Sequence, residues 1–573
     1  MKLYRFVVVS YLSFPFLLSA AEAQDALRPR HLVHDWSNHH VVFTGLTAEN
    51  AAAAAEADPR AWQSWVALAH HGFTPREPDT ERDSESHPSQ FRIPKGRRHH
   101  MALETDWQMP IGVQVGPTVF PAKFSFDVNA APDCANDYVV FPTLNGSSPG
   151  LSGGPASVVA FNNLYTGPGP TGICPTPSSP ASQPSLLFAY NTATITNGMA
   201  YLSPVLSLDG KKIAFVEGNN GSGNSYAAFH VLTWKAGEGT AWNSAATPGD
   251  CSAGNSCMTT LVLNNAFTDS TSSPFMDYAH GTVYVGDDSG RLHKITPVFN
   301  GTPVEVTGNG WPVQLQAGSD RVHSPVYDSG SSRVFVTDNS GSFYVVDATS
   351  GAVLNTAASL GLFNISDPIV DSSDQTVFLF GPDLTVNLSV WQFDTSGTLL
   401  RKISPGALAG TANVYVGAFD NNYFTSPSSG LLYFAGSVSG HATLFAAGFT
   451  GTTMNASFFG PLLLSTSSTT SEATGLTEIF NPSFSTAKDR LFLGIEFNCT
   501  NGSANGCIES FDISSGFPSG ILDSRALATA GSILSVSGIV IDNISSSAQG
   551  SSIYFESFTP QQSAIKLTQS GLN

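Results

Sequence analysis

Three kinds of side chain in this 573-residue sequence are spaced as if for chemistry. The first are serines in small-residue loops. Gly146–Gly150 (GSSPG) and Gly150–Gly154 (GLSGG) both satisfy the Gly-x-Ser-x-Gly spacing of a nucleophile elbow. That device needs a strand before the serine and a helix after it. The flanks here are Ser, Gly and Pro, which read as a loop and disfavour a serine hydrolase. The second kind are carboxylates beside glycine, Asp287-Asp288 in GDDSGR and Asp338-Asn339 in TDNSG. They lack the alternating carboxylates of a dedicated calcium loop. Asp, Asn and Gly also close strand turns with no metal. Calcium is therefore a minor expectation, and no other cofactor is implied. The third kind are histidines: nine of 14 precede residue 101, and HDWSNHH (34–40) is the densest group. No Cys or paired carboxylate completes a ligand set there. These histidines are read as exposed polar residues on a mobile extension.

Six cysteines sit behind what reads as a secretory signal. Lys2 and Arg5 give a basic start, Phe6 to Leu18 an apolar stretch, and Ala21-Glu22-Ala23 a small-x-small cleavage site, so Gln24 is the expected mature start. The apolar stretch is too short for a bilayer span. Six cysteines in an exported chain read as three bridges. Cys134–Cys174, Cys251–Cys257 and Cys499–Cys507 is the pairing that closes three local loops. No Cys-x-x-Cys occurs, so a redox dithiol or attached haem has no support.

Composition bounds the partners. Residues 104–573 hold 14 Lys/Arg against 33 Asp/Glu, essentially the whole net charge of −19. That disfavours nucleic acid and anionic membranes, and suits cations, neutral glycans or proteins. No later apolar run is long enough for membrane insertion. Charged residues are only 12 %, with 53 Gly and 35 Pro, as expected of short strands joined by turns.

Along the chain, residues 1–23 read as the signal and 24–72 as a small helical extension. Asp58-Pro59 is its N-cap and first helical position, and Trp62, Trp65, Val66 and Ala69 follow at helical spacing up to Gly72. Residues 73–103 are a charged, Pro-rich linker, so the extension has the reach to dock on its own domain or to mediate self-assembly. From residue 104 to 573 the chain repeats. Ser203-Pro204, Ser273-Pro274, Ser324-Pro325, Asp367-Pro368 and Asn481-Pro482 each precede short apolar runs cut by Gly-rich turns. Repeats of about 40–70 residues with four strands each are the signature of a β-propeller. Eight units can be counted, with seven the alternative. The last has only three strands, and residues near 106–113 are expected to supply its fourth. Each Pro is expected to begin an innermost strand, where a missing N–H is tolerated. Symmetry would then gather Ser203, Ser273, Ser324, Asp367 and Asn481 into one polar ring at the channel mouth, a candidate ligand site.

The pattern SPV-x-D…VYV…G-x-L/F-x-V-x-D-x-x-S/T-G, strongest over 273–402, resembles the PQQ-like propeller superfamily of quinoprotein alcohol dehydrogenases and non-enzymatic envelope proteins. The resemblance implies an all-β, eight-bladed fold. Its enzymatic branch uses adjacent cysteines beside the quinone, and no two Cys here are adjacent. It also docks blades with a Trp a few residues beyond the D-x-x-T/S-G turn, where this chain has Asn355 and the run TLLRK. The fold is carried over and the quinone is not. The expectation is therefore an extracellular or periplasmic binding or structural scaffold for a protein, glycan or envelope partner. The alternative is a secreted enzyme acting on polysaccharide or alcohols, which should gather His, Glu, Arg or Tyr on the mouth-side turns. Ser, Gly, Asn and Asp dominate those turns in the sequence, which favours binding.

Overall fold

The computed structural model describes residues 33–34, 36–43, 103–126, 133–166, 174, 183–219, 227–249, 254–263, 269–315, 320–363, 365–410, 412–466, 471–481, 488–500, 505–526, 536–542, 552–557 and 562–569. The signal, the helix expected over 58–72, the linker as far as residue 102, and Cys251 lie outside them.

Eight antiparallel sheets form eight blades. Their innermost strands are Ala122–Phe126, Val205–Leu206, Phe275–Asp277, Val326–Asp328, Ile369–Asp371, Ala418–Phe419, Thr477–Asn481 and Val540–Ile541. We number the blades 1 to 8 in that order. Each middle strand lies between two neighbouring blades and is buried on both faces. Thr376–Pro382 (TVFLFGP) is buried throughout, which explains its continuous apolar run. The outer strand of the same blade, Leu399–Ala407, is mostly exposed and reads mixed.

The turns owe their geometry to aspartates. Asp287 Oδ1 accepts from the backbone N–H of Ser289 and Arg291 at 2.9 and 2.8 Å, and Asp338 Oδ1 from those of Ser340 and Ser342 at 3.0 and 2.9 Å. Asp394 closes its turn in the same way on Ser396 and Thr398. These carboxylates act as turn closers, the role the sequence favours for them. Likewise GSSPG and GLSGG run from the end of a strand through turns to Val158 with no helix, so they form no elbow. Asn355 bridges two blades: its Nδ2 donates to Ser396 O of the next blade at 2.8 Å. A Cβ at Gly397, whose φ is +85°, would lie 2.8 Å from that nitrogen. The contact thus needs both a short amide and a glycine.

Leu103–Pro110 pairs antiparallel with Ser563–Gln569 and completes blade 8 as its outer strand. Val540–Ile541 packs beside Ala122–Phe126, which closes the ring. Trp107 Nε1 donates to Leu164 O of blade 1 at 3.0 Å. Two ion pairs bury at the same seam, Lys566–Asp106 at 2.9 Å and Lys123–Asp542 at 3.2 Å. Tyr165 donates to Asp137 at 2.5 Å and Asp542 at 3.2 Å, and Tyr554 donates to Asp542 as well.

Two expected disulfides are present. Cys134–Cys174 joins the first–second to the third–fourth loop of blade 1, and Cys499–Cys507 spans the second–third turn of blade 7. Cys257 is also disulfide-bonded. The Cys499–Cys507 bridge closes a loop with a sequence separation of 8, which corresponds to about 2.5 kcal/mol of lost loop entropy. Cys499→Ser with Cys507→Ser should lower the unfolding free energy by about 2–3 kcal/mol in urea titration, and an unchanged midpoint would contradict this.

Of the N-terminal histidines, the three that are described, His34, His39 and His40, are not exposed. Val33–His34 pairs antiparallel with the free inner edge of Ile369–Asp371, and Val41–Phe43 pairs parallel with that of Ala122–Phe126. A single helical turn, Trp36–His39, joins them. The segment therefore fills the central channel: both legs lie toward the end away from the mouth, and the turn lies beneath the mouth. Trp36 and His40 are buried, and His39 stacks on Phe275 with centroids 4.1 Å apart. This corrects the expectation of a mobile polar extension. Flanking Val and Phe pair with unused strand edges and carry the histidines inside.

Candidate functional site

The mouth is built from the residue two positions before each innermost strand: Phe120, Ser203, Ser273, Ser324, Asp367, Val416, Gly475 and Gly538. Four of the five predicted ring residues fall there, and they touch their neighbours in sequence round the channel. Phe120 N–H donates to Ser203 Oγ at 2.8 Å, Ser203 N–H to Ser273 Oγ and Ser273 N–H to Ser324 Oγ at 3.1 Å each, and Ser324 N–H to Asp367 Oδ1 at 2.9 Å. Each side chain thus caps the strand start of the preceding blade. The fifth, Asn481, is not in the ring. It ends the innermost strand of blade 7, opposite Lys488, so its proline follows that strand instead of starting it. Gly475 takes the mouth position of that blade.

The ring is therefore two-sided. Ser203, Ser273, Ser324 and Asp367 form a polar arc, and Val416, Gly475, Gly538 and Phe120 an apolar one. Above the junction at Asp367 lies a cavity of about 200 Å³. At about 30 Å³ per water it has room for six or seven waters or a small ligand. Its polar lining includes Arg321, His323, Asp367, Asn413 and Tyr415, and its apolar lining Phe120, Ile365, Val414 and Val416. The face of Phe120 stacks on His40, 5.5 Å between centroids, so the channel segment supports the cavity floor.

The flanking turns hold this lining in place. Asp288 accepts from Thr271 N–H at 3.1 Å and pairs with Arg321 at 3.3 Å, while Asn339 accepts from Arg321 N–H at 2.8 Å. His323 Nδ1 donates to Ile365 O at 2.8 Å, which leaves Nε2 as the lone-pair nitrogen. Glu472 accepts from Asn413 N–H at 2.9 Å and Tyr415 Oη at 3.1 Å. Burial governs the titration here. It raises Asp367 to about 7, opposed by the Ser324 N–H, and Asp288 to about 6, opposed by Arg321. Glu496 is raised to about 7 by burial and by the charge of Glu472. Burial lowers His323 and keeps it neutral.

Asp367 gives a pH test. The folded carboxyl keeps a proton that the unfolded chain loses near pH 4, so this group favours folding at low pH and the benefit is lost as pH rises toward 7. Asp367→Asn preserves the acceptor for Ser324. It should raise the melting temperature at pH 8 and change it little at pH 4. A lower melting temperature at pH 8 in calorimetry would contradict this.

Arg321, His323, Tyr415 and Glu472 were not singled out from sequence. They come from loops before three different blades, outside the repeated strand pattern. The one visible hint was Arg321-Val-His323 immediately before Ser324-Pro325.

No family model matches the chain, and no curated protein matches it. Among solved structures, the C-terminal WD40 domain of Sif2 is similar at 12 % identity and TM-score 0.31, over 62 % of this chain and 92 % of that one. The blade count rests on the eight sheets of this chain. Among the described residues no helix is long and apolar enough to cross a membrane.

Proposed function

We propose that this chain is an exported binding propeller of the PQQ-like kind, without a quinone, and that it holds a small polar group at the channel mouth. The group is the terminal unit of a glycan or a side chain of a protein partner, in the extracellular space or periplasm. The carrying observation is the cavity where the polar arc meets the apolar arc at Asp367. A concave site with an apolar wall and a few convergent polar groups is how such ligands are usually held. The net charge of −19 supports a neutral or cationic ligand.

The test is a glycan array followed by thermal shift on each hit. A ligand at one hundred times its Kd stabilises by about 2.7 kcal/mol. Ser324→Leu with Asp367→Leu should abolish that shift. If the double variant still binds while an alteration of residues 33–43 abolishes binding, the ligand does not sit at the mouth.

One observation favours a second reading, an enzyme acting on polysaccharide or alcohols. The mouth gathers Arg321, His323, Tyr415 and Glu472, the residue types expected of an enzyme there. Under that reading His323→Gln abolishes turnover of a bound substrate and leaves its affinity unchanged. Under the binding reading no turnover is found.

A further inference from the structure

We infer that the central channel is a second binding site, for an extended peptide, and that residues 33–43 are its resident ligand, able to leave and return while the ring stays folded. The recognition is strand addition, in which main-chain pairing supplies affinity and side-chain pockets supply specificity. The main-chain part is Val33 and His34 against Asp371 and Val370, and Val41 and Val42 against Lys123 and Phe124. The pocket part is aromatic. Trp36 packs edge-on to Phe275 at 5.9 Å, and His40 lies between Trp36 and Phe120 with centroids 5.8 and 5.5 Å away. Two directional bonds fix the turn: Met276 N–H donates to His39 Nε2 at 2.8 Å, and His40 Nδ1 donates to Pro204 O at 2.9 Å.

The ring does not depend on this segment for closure. Blades 1 and 5 each have four strands of their own, and Leu103–Pro110 completes blade 8. The 59 residues 44–102 join the segment to that strand, and those from 73 on are rich in Pro, Glu and Arg, the composition of a linker. A tether of this sort holds its ligand at roughly millimolar effective concentration. A micromolar site would then be occupied about 99.9 % of the time, yet the ligand would remain exchangeable.

Protonation favours release. The bond from Met276 requires an unprotonated Nε2 on His39, and burial holds His39 well below its usual range, with His40 and His34 depressing it further; burial also lowers His40 to about 4, opposed by its bond to Pro204 O. On the strands packed against the segment, Lys123 is a cation paired with Asp542, Asp371 accepts from Tyr423, and Asp277 binds His280. A free segment with His near 6.5 binds a proton at pH 5 that bound His40 refuses. By linkage, affinity falls about thirtyfold from pH 8 to pH 5 through His40 alone.

The experiment uses the full chain with a protease site inserted between residues 44 and 102. After cleavage and dilution, size exclusion should find the N-terminal piece bound at pH 8 and released at pH 5, with the ring's circular dichroism unchanged. A synthetic peptide of residues 30–45 should rebind the stripped ring at pH 8, and its Trp36→Ala form should not. His40→Phe keeps the stacking and removes the proton site, so this variant should retain its piece at pH 5 at least tenfold better than the wild type. A piece that stays bound at pH 5, or a ring that unfolds when it leaves, overturns the inference. So does a His40→Phe piece released as readily as the wild type.

Discussion

A chain truncated through residue 114 is expected to have no folded ring, whereas one truncated through residue 102 should melt cooperatively. The difference is the closing strand and the residues just after it. Leu103, Trp107 and Ile111 are buried, at 2 %, 3 % and 0 % exposure. Burial of three such side chains contributes about 1.5–3 kcal/mol each. Losing Asp106 also removes the ion-pair carboxylate of the buried Lys566, at about 3–5 kcal/mol. The total, roughly 8–14 kcal/mol, matches the whole stability of an ordinary domain. It would also expose the edge Ser563–Gln569, an invitation to aggregate. Truncation through 102 removes the channel segment as well, so its melting temperature should fall below that of the full chain while the transition stays cooperative. Calorimetry distinguishes the two, and equal melting temperatures would mean that the ring closes some other way.

The second large effect is expected at Asp542. Its carboxylate faces the Lys123 ammonium, and Tyr165 and Tyr554 both donate to it. Asp542→Ala removes the ion-pair partner of the fully buried Lys123 and leaves it the carbonyls of Phe124 and Ser125 and the more distant charge of Asp137. Breaking a buried pair from one side costs about 3–5 kcal/mol, because the stranded charge is not compensated. Lys123→Met combined with Asp542→Leu should recover most of that loss, since well-packed apolar replacements of buried pairs are often neutral. Urea midpoints of the two variants decide the matter. A double variant as unstable as the single one would show that the hydrogen bonds from the two tyrosines, and not the ion pair, hold the seam.

The blades were legible in the sequence because their signals are local. A β-branched and aromatic run such as Arg333–Thr337 announces a buried strand, and an Asp closing on its own next residues announces a turn. Ring closure was legible by counting, since the last unit lacked a strand and a spare one stood ahead of the first. Asn481 was misplaced because Asn-Pro looks alike before and after an innermost strand. Only the pairing of Asn481 with Lys488 settles which side it is on. The channel segment was missed because the pairing of Val33 with Asp371 joins residues hundreds of positions apart, and an isolated His-rich stretch looks polar. Val33 on one side and Val41-Val42 on the other were the available clue. The lining of the mouth was half legible. Its serines recur with the repeat, whereas Arg321, His323 and Tyr415 belong to loops that no repeat constrains.

The seam in blade 8 also sets a timetable. Asp106 and Thr568 touch across 462 positions of sequence. At about 5–20 residues per second, a ribosome needs roughly 20–90 s between making the two. Throughout that interval the first-made edge has no partner, and the ring cannot lock until Ser563–Gln569 emerges. A ring that cannot close until its eighth blade is made stays open, and its first strand stays unpaired, through nearly all of that synthesis.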